Sequence, residues 1–119
     1  MNPDSGDILD AAQVEDLRGI DDGAMFAKLV RMYLVKAPER IQLLRGHVAA
    51  ANFAGMAQEA HALKGASGSI GAIRVADACR QIEQAVKAQD AGPVEALTLA
   101  LDEEFGRARD ALQAIAGPG

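Results

Sequence analysis

The chain has 119 residues, half of them apolar, and a formal net charge of −5. That length supports one domain, and with aromatics at only 3% the core must come from Ala, Leu, Val and Ile, which suits helices. The acidic balance argues against nucleic acid, no apolar run reaches the length of a membrane span, and no signal-peptide pattern is present.

Cys79 stands alone, which rules out an internal disulfide and points to a reducing, cytoplasmic setting. Residues 1–7, Met-Asn-Pro-Asp-Ser-Gly-Asp, are polar and turn-rich and read as a flexible N-terminus. Asp10 suits the cap of a short helix running through Leu17 and ending before Gly19. Asp21 and Asp22 then open a long helical pattern. Its stripe is Phe26, Leu29, Val30 and Tyr33, with Met25 and Met32 beside it as filler. Pro38 interrupts the hydrogen-bond ladder, yet the stripe resumes at Ile41, Leu44 and Val48. One kinked helix to Ala51, or two nearly collinear pieces, fits that pattern. Tyr33 is expected to pack its ring and leave its hydroxyl in water, and His47 to be ordinary surface.

Asn52 is placed to cap the next helix, which ends near Ile70 with Gly71 as its stop. Another helix starts at Ala72 or Ile73, with Val75, Cys79, Ile82 and Val86 as its seam. Gly92 marks a turn, and Pro93 suits the first position of the last helix. That helix carries Val94, Leu97, Leu101, Phe105, Ala108, Leu112 and Ile115 at helical spacing. No alternating run or hairpin signal suggests a strand. The expectation is an all-α fold, an antiparallel up-down-up-down four-helix bundle over residues 8–115 with a short extra N-terminal helix. Residues 116–119 read as a flexible C-terminus.

The informative stretch is the helix around His61. Phe53, Met56, Ala60, Leu63, Ser67 and Ile70 form its core stripe, and His61 falls about 130° away from the middle of it. Gly65 and Gly68 share the His61 face, although each glycine costs about 1 kcal/mol relative to alanine inside a helix. Small residues around one histidine leave room for another body to reach its ring. This is an access site.

The run His61-x-Leu63-Lys64-Gly65-x-Ser67, followed by Gly71 and Ala72, closely resembles the signature of histidine phosphotransfer (HPt) domains. The resemblance extends over residues 8–115 and implies a carrier that takes a phosphoryl group on His61. In that family the group arrives on the outer ring nitrogen, Nε2, from a receiver-domain aspartate and passes on to another receiver. The implied partners are response-regulator receiver domains or a hybrid sensor kinase, with magnesium held by the partner.

Nucleophilic attack from Nε2 needs Nδ1 to carry the proton, so Nδ1–H needs an acceptor. Glu83, on the following helix, is the candidate. A carboxylate against the ring also favours the charged form and blunts the nucleophile, so a peripheral or water-mediated contact is expected. Lys64, one turn beyond His61, can neutralise incoming phosphoryl oxygens, and Lys87 is a second candidate for that task. Ser67 lies toward the core and should bond within the helix or to a neighbour. Gly65 and Gly68 give clearance.

Other readings stand beside these. Glu83 and Lys87 are spaced i, i+4 and could form an ordinary surface ion pair. The whole bundle could be a docking scaffold that transfers nothing, or the phosphotransfer domain of a chemotaxis-type kinase. A di-iron bundle is excluded, because Leu44 and Gln58 stand where Glu-x-x-His motifs need Glu. With no Gly-rich phosphate loop and no kinase motif, the chain reads as a carrier and not an enzyme, with no cofactor or metal of its own. A monomer is expected, docking its receiver through apolar surface near His61 that includes Ile8 and Leu9.

Overall fold

The computed structural model describes residues 7–117. Most of the expected flexible N-terminus, and the last two residues of the expected C-terminal one, lie outside that range. Five α-helices and no strand occur among the described residues: α1 Ala11–Arg18, α2 Ala24–Ala49, α3 Phe53–Ser69, α4 Ile73–Lys87 and α5 Val94–Ala116. The four long helices pack in a closed order, α2 on α3, α3 on α4, α4 on α5 and α5 back on α2. Their shared core includes Phe26, Leu44, Met56, Leu63, Ile82, Leu101 and Leu112, all fully buried. Tyr33 of α2 meets Phe105 of α5 at 5.8 Å between ring centroids, tilted by 58°.

Local chemistry explains most helix ends. Asp10 accepts from the Gln13 backbone at the start of α1, and Asn52 accepts from the Gly55 backbone at the start of α3. The end of α3 is a Schellman motif: Ala72 N–H donates to Ser67 O, Gly71 N–H donates to Gly68 O, and Gly71 sits at φ +83°. The ends of α2 and α4 close in the same way, but with Ala51 and Gln89 in the left-handed position at φ +54° and +55°. Pro93 precedes α5 as its cap residue instead of occupying its first turn.

The long second helix begins later than Asp21. Asp21, Asp22 and Gly23 all have positive φ, so they form a left-handed turn between α1 and α2, and helix starts only at Ala24. Past Pro38 the helix is unbroken to Ala49. A proline removes one donor, and tertiary packing of Ala37 and Ile41 on either side holds the rest. Met25, Met32 and Ile115 are exposed and not core filler, because each falls at the edge of its stripe.

The short α1 is a latch over the α3–α4 turn. Asp10 N–H donates to Gly71 O at 2.8 Å, and the Gln13 side-chain amide donates to Gly68 O and Ser69 O. Both carbonyls lie in the last turn of α3, past the regular helical ladder, and Gly68 O also takes the Gly71 N–H bond of the Schellman end. Val14 is buried beneath, 3.2 Å from where a side chain at Gly71 would begin. Ile8 and Leu9 pack partly against the same core.

Candidate functional site

His61 is carried on the outer face of α3, and its side chain is 74% exposed. Around it α3 presents small residues: Ala54, Gly65 and Ala66 are exposed, and Gly68 is half-buried. A side chain built at Gly65 or Gly68 would meet nothing within 4 Å, so both glycines border open space. Packing within the chain does not demand them.

Glu83 of α4 reaches across to this face. Its Oε2 lies 3.3 Å from His61 Nδ1, a long, direct contact at the exposed edge of the bundle. Its Oε1 lies 2.8 Å from Lys64 Nζ, close as an ion pair but poorly aligned as a hydrogen bond. One carboxylate therefore holds both the ring and the lysine. Burial would raise the Glu83 pKa, but the Lys64 and His61 contacts outweigh it and hold the carboxyl below its ordinary value. An ionised carboxylate only accepts, so Nδ1 carries the proton at this contact, and in the neutral ring that tautomer leaves the lone pair on Nε2. Among the described residues, Nε2 has no hydrogen-bond partner.

The two lysines differ in their surroundings. Lys64 stands on the His61 face with its ammonium against Glu83. Lys87 is exposed in the last turn of α4 and makes no ion pair among the described residues. The i, i+4 pairing of Glu83 with Lys87 is replaced by the interhelical pairing with Lys64.

Ser67 is fully buried and belongs to helix packing, not to the surface a partner touches. Its hydroxyl lies 2.7 Å from Tyr33 Oη, so Tyr33, expected to leave its hydroxyl wet, has it inside the core. The helix crossing decides this, since Tyr33 and Ser67 face each other between α2 and α3. His47 is likewise not plain surface. Its ring covers Gly55 so closely that a Cβ there would sit 2.3 Å from Nδ1, and its Nε2 lies 4.0 Å from buried Glu59. Glu59 also accepts from Arg40 at 2.9 Å, tying α2 to α3 below the site. No sequence motif marks that buried carboxylate; only its place on the α2-facing side of α3 could have flagged it.

A family model described as the Hpt domain matches residues 28–116, well over half of the chain and including every residue of this site. The chain belongs to the Hpt domain family. Three solved structures share the Hpt fold. The histidine-containing phosphotransfer protein B of Pseudomonas aeruginosa PAO1 superposes with a TM-score of 0.87 at 21% identity, over 93% of this chain and 96% of that one. A rice protein described as a histidine-containing phosphotransfer protein gives 0.84 at 22%, over 94% and 81%. A histidine-containing phosphotransfer protein of Medicago truncatula gives 0.79 at 21%, over 94% and 85%. No curated protein matches the chain. No helix of the described Hpt bundle is long and apolar enough to cross a membrane.

Between α2 and α3, beside the site, runs a groove of about 260 Å³. Leu29, Met32 and Ala37 of α2 and Leu63, Ala66 and Ile70 of α3 line it. Met25 and Met32 are about half exposed, so this flank of the His61 face is mostly apolar, with Lys36 and Arg40 also on the groove lining.

Proposed function

We propose that the chain is a phosphorelay carrier. It accepts a phosphoryl group on His61 Nε2 from a receiver-domain aspartate and passes it to another receiver. The observation that carries the reading is the exposed His61 ring, held at Nδ1 by Glu83 and bordered by open space at Gly65 and Gly68. Its membership of the Hpt family supports the same reading.

In this proposal transfer is positioning and charge neutralisation, as in other phosphoryl transfers. Glu83 sets the tautomer, Lys64 turns from Glu83 to the phosphoryl oxygens, and Lys87 approaches them from the end of α4. The receiver supplies magnesium and the chain supplies no nucleotide site, so it acts as a carrier and not a kinase. The receiver packs on the apolar flank between α2 and α3. Ile8 and Leu9 contribute less than a sequence reading suggests, since both are partly used in the core. The short connections support an antiparallel up-down-up-down course for α2–α5, working as a cytoplasmic monomer with the bundle spanning residues 8–115.

The test is transfer from a panel of phosphorylated receiver domains to the wild type and to His61→Gln. Acid-labile, alkali-stable label on the wild type alone is the expected result. Label on His61→Gln, or none on a folded wild type, would sink the proposal.

A further inference from the structure

We infer that Glu83 has a second duty: it keeps the phosphorylated ring protonated at Nδ1, so that the phosphoryl group always departs from a neutral imidazole. This rests on the reading of His61 as the carrier and concerns the return step. The geometry is a carboxylate bridging two groups, with Oε2 on Nδ1 and Oε1 on the Lys64 ammonium.

The electron balance shows why that bridge matters. In the accepting step the Nε2 lone pair attacks phosphorus. The P–N bond forms and the P–O bond to the receiver aspartate breaks, its electron pair staying on the carboxylate. The ring keeps its Nδ1 proton throughout and so becomes cationic, directly against Glu83. In the return step a second receiver carboxylate attacks phosphorus, the P–N bond breaks, and its pair returns to Nε2. The product is the starting neutral ring, with no proton moved. Were Nδ1–H lost in between, the leaving group would be an imidazolate anion, a far worse one.

Lys64 makes the arrangement self-adjusting. While Nε2 is bare, the ammonium neutralises Glu83 and limits the pull of the carboxylate on the ring. Once a phosphoryl dianion arrives, Lys64, one turn away on the same face and partly exposed, moves to its oxygens. Glu83 then faces the cationic ring with its charge uncovered, when that charge is needed. The carboxylate that costs nucleophilicity in the accepting step repays it in the return step.

Among the described residues, few other ionisable groups face this cluster. On α4 itself, Cys79 lies one turn before Glu83 in the core, and Lys87 lies one turn after it on the surface. From α3 come only His61 and Lys64. The charges of α5 nearest to α4, Glu103, Glu104 and Arg107, line a separate groove with Arg74, Asp77 and Arg80.

The test compares wild type with Glu83→Gln, both phosphorylated on His61, in transfer to one receiver across pH 6 to 8.5. Glutamine keeps the size and can still accept from Nδ1–H, but it has no charge. The difference between the two should be smallest at pH 6, where the Nδ1 proton is present on both rings. At pH 8.5 Glu83→Gln should be slower by about tenfold, the factor that one unit of displacement in the profile produces. Ring-nitrogen shifts of phosphorylated wild type should show Nδ1 still protonated at a pH where a phosphohistidine peptide, titrated alongside, loses that proton. Parallel profiles, or a wild-type ring deprotonated like the peptide, would overturn the inference while leaving the carrier reading intact. A wild type that takes no label removes both.

Discussion

The hydroxyls of Tyr33 on α2 and Ser67 on α3, the helix that presents His61, stand 2.7 Å apart inside the core. The pair fixes how α3 lies against α2 without touching the transfer site. Tyr33→Phe strands the Ser67 hydroxyl in a dry place and should cost about 1–3 kcal/mol in urea unfolding. Adding Ser67→Ala should recover part of that loss, because no polar group then remains unpaired. Strictly additive losses would mean the hydroxyls are independent.

Tyr33 and Cys79 together set an alkaline limit. Burial first, and then the nearby Glu83 charge, push the Cys79 thiol from 9.0 up to about 12, against a smaller opposing effect of Lys64. Burial likewise pushes Tyr33 well above 10.0, although its bond to Ser67 pulls the other way. Both groups stay neutral when folded and ionise first in the unfolded chain. Their contribution is therefore complete below pH 9 and is lost as pH rises toward 12, at up to about 1.4 kcal/mol per pH unit for each group. Cys79→Ala should flatten the part of that decline that begins near pH 9. An unchanged slope would assign the decline to other groups.

Gly65 separates stability from function. It is exposed and helical, and an added Cβ meets nothing, so Gly65→Ala should stabilise the protein by about 0.5–1 kcal/mol. Gly65→Phe should also fold, but its ring stands in the approach to His61 one turn away. Thermal unfolding should show both variants intact, with receiver-dependent labelling slowed in the phenylalanine variant alone. Full-rate labelling of Gly65→Phe would mean that partners reach His61 from another side.

The three Schellman ends give a matched comparison. Gly71 needs its glycine, since φ is +83° and Val14 lies 3.2 Å from a built Cβ. Gly71→Ala should destabilise by more than about 1 kcal/mol. Ala51 holds the same kind of position at φ +54° without glycine, so Ala51→Gly should be neutral or stabilising by up to about 1 kcal/mol. Opposite signs in denaturant midpoints are expected. Equal losses would show that backbone entropy, not the left-handed conformation, dominates both sites.

Local physics made the helices legible. Asp10 and Asn52 cap where short acceptor side chains precede helical patterns, and the exposed face of His61 follows from its angle to a stripe within its own helix. Where the reading failed locally, at Asp21 and Asp22, two residues that cap helices well adopted the left-handed turn they also tolerate.

What one chain segment cannot express is which side chains face each other across helices. The amino-acid sequence by itself determined the helices, the stop at Gly71 and the small-residue face around His61, because each depends on neighbours within a few residues. Only the tertiary structure decided that Lys64, and not Lys87, pairs with Glu83, that the Tyr33 hydroxyl finds Ser67, and that His47 closes over Gly55. Those pairings depend on the crossing and axial level of α2, α3 and α4. A polar group at a helix seam takes whatever partner that crossing brings within hydrogen-bond reach.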